Sequence, residues 1–331
     1  MAFPMGLTFS LIKYMIESKL GEVDRFPLAL MLQPTFCSNL DCIRIGEYQD
    51  TFERILSVEE CLAAVDEVGA PVVCLTGGEP LLHPNIGQII SGILERKRFL
   101  YLSTNGLVAE DFLSRLKPSS YFGFVFQLDG MAETHDRMAG HPGLFEKAIL
   151  AIQAAKKAGF LVYTNTTVHK GVSLGEIETL FVLLSRLKVD GLIVAPAFRC
   201  DAVESDVFLS REEIGDFFGP LYEKRSNYPF HISPLYLEFL AGRRRLECVP
   251  WGNPIRNPLG WKQNCCLITN GYCQSYHELV ENTRWDRYGV GKDPRCATCM
   301  VHCGFEAAAL NAATGSLSGM WSMIRWQFPG L

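Results

Sequence analysis

Apolar and amphipathic stretches alternate along the first two hundred residues. Short apolar runs recur at Leu28-Ala29-Leu30-Met31-Leu32, Val72-Val73-Cys74-Leu75 and Phe99-Leu100-Tyr101-Leu102, and again at 121–128, 160–168 and 191–196. Runs this short, rich in Val, Leu and aromatic residues, predict strands buried on both faces, as in a parallel sheet. Helical patterns fill the gaps. Ser57-Val58-Glu59-Glu60 has the form of a capping box, and Gly69 suits the C-terminal turn of the helix it opens. Cys61, Ala64, Val65 and Val68 form that helix's apolar face, which makes Cys61 a core residue. Further helices are predicted over 84–97, 145–158 and 176–188. Strand then helix, six times over, predicts an α/β protein with right-handed crossovers and a closed or partly closed barrel.

Both ends depart from this alternation. Residues 7–20 place Leu7, Leu11, Tyr14, Met15 and Leu20 near helical spacing. This amphipathic helix, within a leading segment 1–27, either closes one end of the barrel or contacts a membrane. The barrel itself is predicted over 28–198. Residues 199–331 form a mainly helical and irregular extension, with helices over 211–225, 234–243 and 275–283 between Gly- and Pro-rich loops. Its last stretch, with Met320, Trp321, Ile324, Trp326 and Phe328, is a docked tail or an interfacial anchor.

Composition narrows the class. The chain has 331 residues, 48% hydrophobic and 20% charged, enough for a sizeable core. A net charge of −5 argues against nucleic acid as the main partner. Twelve cysteines without a visible signal peptide suggest a reducing cytoplasm, with thiolates used for iron or zinc. No apolar run is long enough to span a bilayer.

In barrels of this kind function gathers at the C-terminal strand ends. The polar clusters fall there: Cys37 and Cys42, Gly77-Gly78-Glu79-Pro80, Ser103-Thr104-Asn105, Asp129 and Asn165. The two glycines suit a close backbone approach to a ligand, or a sharp turn. Asn105, Asp129 and Asn165 suit ribose hydroxyls, a carboxylate or an amine, or else turn capping. Eight of the twelve cysteines lie in the extension. Cys296, Cys299 and Cys303 sit close enough in sequence to share a metal, with Cys265, Cys266 or Cys248 as a fourth ligand, or to be inert buried thiols.

A Cys-bearing loop after the first strand and GGEP after the second resemble the radical S-adenosylmethionine (SAM) superfamily. More of the chain resembles the hopanoid-biosynthesis members of that superfamily, the adenosyl hopene transferases. The matching stretches are residues 56–73, GGEPLLHPNI at 77–86, LDG at 128–130, CVPWGNPIRNPLGW at 248–261 and RCATCMVHCGFE at 295–306. The resemblance implies a partial (β/α)6 TIM-like barrel holding a [4Fe–4S] cluster on Cys37 and Cys42, and SAM on the GGEP backbone. It implies adenosyl transfer to the alkene of a hopene, with an electron donor such as a flavodoxin or ferredoxin and contact with the inner face of the membrane. A second metal or cluster at the C-terminal cysteines would add to these. Three positions depart from the family pattern: Ile45 replaces the third cluster cysteine, Ser103 replaces a hydrogen-donating cysteine, and Gln127 replaces a histidine. Cys74, on the neighbouring strand, is the other thiol that could donate hydrogen, although a core role suits it too. A non-catalytic relative that binds lipid, SAM or a protein partner is the alternative.

Overall fold

The computed structural model describes residues 4–40, 54–198, 207–265, 267–315 and 317–327. Six parallel strands form its centre: β1 (Ala29–Leu32), β2 (Val72–Leu75), β3 (Phe99–Thr104), β4 (Phe122–Gln127), β5 (Leu161–Val168) and β6 (Gly191–Pro196). Each pairs with the next in chain order, so the sheet advances one strand at a time. One face packs against the helices, through Leu30, Leu32, Val73, Leu75, Leu100, Leu102, Phe124, Phe126, Val162 and Leu192. Full burial of each such side chain is worth about 1.5–3 kcal/mol. Alternate residues, Cys74, Tyr101, Ser103, Tyr163 and Asn165 among them, face the bore.

The helices between strands fall close to the predicted spans. Val58–Val68 opens on the capping box: Ser57 Oγ accepts from Glu60 N at 3.1 Å, and Ser57 N donates to Glu60 Oε2 at 2.7 Å. Gly69, at φ +66°, ends it. The helix predicted over 84–97 starts later, at Ile86, after a separate 3₁₀ turn at Pro80–Leu82 and with Asn85 at its N-cap.

Helix Met5–Leu20 closes one end of the bore. Leu7 packs on Val72 and Phe99, at the starts of β2 and β3, and Met15 packs on Leu28 and Ala307. Its outer side leaves Phe9, Ile12, Ile16 and Leu20 in solvent. Among the described residues no helix is long and apolar enough to cross a membrane.

The extension differs from expectation. Three strands lie within it: β7 (Ile255–Asn257), β8 (Gly260–Asn264) and β9 (Thr269–Cys273). β7 pairs parallel with β1, and β8 and β9 continue antiparallel, making one nine-stranded sheet. These strands are short and carry Arg256, Lys262, Gln263 and Asn264, which hides a period of two. Helix His302–Thr314 also went unpredicted. It is buried on most sides, and its run of alanines shows no polar stripe. The tail helix Leu317–Gln327 docks through Met323 and Trp326.

Candidate active site at the C-terminal strand ends

The loop after β2 lies directly on the loop after β1. A Cβ on Gly78 would sit 1.9 Å from the Cys37 carbonyl oxygen, and one on Gly77, at φ +118°, 2.6 Å from that of Thr35. Only glycine permits this approach. Glu79 N then donates to the Cys37 carbonyl at 2.7 Å. The Glu79 carboxylate is almost fully buried. It accepts from Leu81 N at 3.2 Å, Thr104 Oγ1 at 2.9 Å and Asn105 N at 3.0 Å. Burial raises its pKa, and those donors pull it back. Glu79 is therefore a positioning residue that ties three strand-end loops together. Asn105 serves the same frame, donating from Nδ2 to Asn39 Oδ1 at 2.7 Å.

Further round the mouth, four polar side chains form a network. Asn165 Nδ2 donates to Gln127 Oε1 at 2.7 Å, and Gln127 Nε2 donates to Asp129 Oδ1 and to Thr167 Oγ1. Thr167 N also donates to Asp129 Oδ1, at 2.8 Å. Asp129 N is held by His135 Nδ1 at 3.2 Å, and burial lowers the His135 pKa to about 4, which keeps the ring neutral. Among the described residues, the buried oxygens Asn165 Oδ1 and Thr76 Oγ1 have no hydrogen-bond partner. Buried acceptors are rarely left so, and a ligand hydroxyl or amine would satisfy them.

The bore is closed below this level. The Tyr101 hydroxyl and His231 Nε2 lie 2.8 Å apart, and the Tyr163 and His231 rings are 4.3 Å apart. A Cβ on Gly123 or Gly191 would strike the Tyr163 ring or His231, so both glycines make room for this aromatic floor. Cys74 pairs in register with Tyr101 and belongs to the floor, and burial pushes its thiol up to about 12. Ser103 stands two residues beyond Tyr101, about 7 Å further along the strand. The sequence pattern singled out Asn165, Asp129 and Gln127 but missed Thr167 and His135. His135 sits in helix Ala132–Ala139, whose mixed composition gives no signal.

The metal-ligand predictions divide. Cys37 lies at the loop contact just described, whereas Cys42 falls outside the described residues. Cys265, Cys296, Cys299 and Cys303 line a single pocket together with Cys248. Among the described residues no three Cys, His, Asp or Glu side chains are placed to share one ion.

A parallel half-barrel with its polar groups at the C-terminal strand ends is the architecture of an α/β enzyme. Residues 35–184 match the radical SAM superfamily, and residues 192–323 match a domain of unknown function, DUF3463. Residues 35–184, a little under half of the chain, are thus similar to a radical SAM domain, and that superfamily works with a [4Fe–4S] cluster and SAM. An AdoMet-dependent heme synthase of Methanosarcina barkeri is 35% identical over 168 residues, 49% of this chain and 48% of that protein. One from Nitratidesulfovibrio vulgaris is 25% identical over 253 residues, 72% of this chain and 68% of that one. This chain thus spans about half the length of the first relative and two thirds of the second. Streptococcus suis SuiB, solved with its precursor peptide SuiA, shares the fold at a TM-score of 0.66 and 14% identity, over 93% of this chain and 77% of SuiB.

The donor and acceptor chemistry present fits SAM: the unpartnered Asn165 and Thr76 oxygens are acceptors that a ribose hydroxyl or an amine would satisfy. The cluster loop fits less well. Ile45 leaves it one thiolate short of three, and oxygen ligands suit iron–sulfur clusters poorly.

Proposed function

We propose that the chain transfers the 5′-deoxyadenosyl group of SAM to the alkene of a hopene-type polycyclic isoprenoid, in hopanoid biosynthesis. The observation that carries this is the C-terminal signature, residues 248–261 and 295–306, whose two halves meet where Val249 N donates to the Gly304 carbonyl at 3.2 Å. In the net reaction the C5′–sulfur bond of SAM breaks, a C5′–carbon bond forms, and methionine leaves. One electron from a flavodoxin or ferredoxin and one hydrogen atom complete the product.

The upper bore binds the polar end of SAM through Asn165, Asp129 and the Gly77–Gly78 turn, and the aromatic floor stops the substrate from passing through. Ser103 occupies the hydrogen-donor position, but its O–H bond is too strong for that task. Cys74 supplies the hydrogen atom instead, from a thiol that burial keeps protonated, and the thiyl radical left behind returns to thiol with a second electron from the same donor and a proton from solvent. A membrane-resident substrate gives the exposed stripe Phe9, Ile12, Ile16 and Leu20 a role at the inner face of the membrane.

A second reading, tetrapyrrole processing, is favoured by the 35% identity with a heme synthase. Anaerobic incubation with SAM, a reductant and either diploptene or an iron porphyrin separates the two by mass spectrometry. Adenosylhopane supports the first reading, and a modified porphyrin the second. 5′-Deoxyadenosine without an adduct would keep SAM cleavage and reject hopene.

A further inference from the structure

The extension reaches the bore through β7. This strand pairs parallel with β1 in the register Met31↔Ile255 and Leu32↔Arg256, and Gln33 N donates to the Arg256 carbonyl at 2.9 Å. Residues matched across neighbouring strands point to the same face of the sheet, and successive residues alternate. Leu32 packs on the helix side. Arg256 lies on that side too, with its guanidinium 3.9 Å from Glu60 of helix Val58–Val68. Trp261, opposite Arg256 on β8, continues the same side against Tyr276. Ile255 and Asn257 therefore face the bore.

Register also fixes their height. Leu32 matches Leu75, and Leu75 matches Leu102, so the next position on each strand belongs to one row: Asn257, Gln33, Thr76 and Ser103. The bore-facing row beneath it is Ile255, Met31, Cys74 and Tyr101, the level of the aromatic floor. β7 thus repeats the rule of β3 and β5, with a polar side chain one step above the floor.

Asn257 is fully buried. Its Oδ1 accepts from Leu259 N at 3.0 Å in the turn to β8, which sets the amide's orientation, while its Nδ2 has no partner. A buried donor is rarely left so without a ligand to meet it. The row therefore holds an unpartnered donor on β7 and an unpartnered oxygen, Thr76 Oγ1, on the far side of β1. These two chemistries suit different groups of SAM. An amine or a ribose hydroxyl can donate to Thr76 Oγ1 or Asn165 Oδ1, whereas a carboxylate only accepts and requires a donor. The Gly77–Gly78 turn, which holds the polar end of SAM in the function proposed above, follows Thr76 directly. We infer that Asn257 binds the methionine carboxylate of SAM, so that the extension supplies one side of the cofactor site. This assignment rests on that SAM site and not on the hopene substrate.

Decarboxylated SAM, which keeps the sulfonium and the amine and lacks only the carboxylate, is the probe. The full chain, reconstituted anaerobically with iron and sulfide and kept free of reductant, is titrated calorimetrically with each ligand. Wild type should bind SAM about tenfold or more tighter than decarboxylated SAM. Asn257→Asp keeps the acceptor for Leu259 N but sets one carboxylate against another. It should weaken SAM about tenfold or more without weakening decarboxylated SAM, at unchanged circular dichroism. Asn257→Ala should also remove the preference for SAM, and it decides if the Asp variant fails to fold. Should neither variant fold, the wild-type preference decides alone. Equal wild-type affinity for the two ligands would overturn the assignment, as would folded variants that lose both ligands equally or lose neither. A wild type that binds SAM but whose variants keep the preference rejects Asn257 alone, whereas one that binds neither ligand rejects the SAM site with it.

Discussion

The upper and lower halves of the bore are built from the same strands, yet two residues along a strand change its role. Tyr101 gives way to Ser103 on β3, and Tyr163 gives way to Asn165 on β5. The lower half is packed: Tyr101, Tyr163 and His231 fill it, and helix Met5–Leu20 seals it from beneath. The upper half is polar, and two of its buried oxygens lack partners. The lower half spends its side chains on stability, whereas the upper half leaves hydrogen-bonding capacity unused. Substitutions in the two halves should therefore separate stability from ligand binding.

The largest effect is expected where both properties depend on one residue. Glu79→Ala strips the acceptor from three donors, two of them wholly buried, and should cost about 3–5 kcal/mol. Urea unfolding would show it, and SAM binding should vanish with it. Glu79→Gln, which keeps one oxygen, should cost less than half as much. If Glu79→Ala unfolds like the wild type, the three-loop tie is not structural.

Gly78→Ala follows, at about 3 kcal/mol, because its methyl cannot occupy the space of the Cys37 carbonyl. A lowered urea midpoint would be the sign. A comparable effect should appear with pH. The folded-state pKa of His135, about 4, lies below its ordinary 6.5, so the unfolded chain takes up the proton first as pH falls. The stabilisation is complete above about pH 6.5 and is lost progressively toward pH 4, amounting to about 3 kcal/mol. His135→Asn, which keeps an acceptor for Asp129 N, should flatten that part of the stability–pH curve. An unchanged curve would place the titration elsewhere.

Smaller effects sharpen the contrast. Asn165→Ala should weaken SAM about tenfold, or about 1.4 kcal/mol, and should also cost about 1 kcal/mol of stability with its bond to Gln127 Oε1. His231→Phe should affect stability alone. Loss of the Tyr101 partner should cost about 1 kcal/mol of stability and leave the SAM Kd unchanged. Calorimetric titration beside denaturant unfolding reads both variants. If His231→Phe weakened SAM as much as Asn165→Ala, the two halves would not be distinct.

The six-stranded centre was legible in the sequence because strands buried on both faces leave unbroken apolar runs, and polar residues at their ends stand out. Capping chemistry marked Val58–Val68 at Ser57 and Gly69. β7 to β9 were hidden because three to five residues with interleaved Arg, Lys, Gln and Asn show no alternation. Helix His302–Thr314 was hidden for the opposite reason, being apolar nearly all round. Cys296, Cys299 and Cys303 were visible from their spacing. That Cys248 and Cys265 join them depends on how the extension folds back, which no local pattern encodes. The aromatic floor was equally invisible, since His231 lies 130 residues from Tyr101.

The central claim is that the upper bore holds SAM in a form that can be cleaved. Its most direct test is 5′-deoxyadenosine release from SAM by the anaerobically reconstituted chain with reductant, measured for wild type and Asn165→Ala. Release by wild type, reduced about tenfold in the variant at SAM concentrations well below saturation, is the predicted result. Iron-loaded wild type that releases none, or a variant that releases as much as wild type, would contradict it.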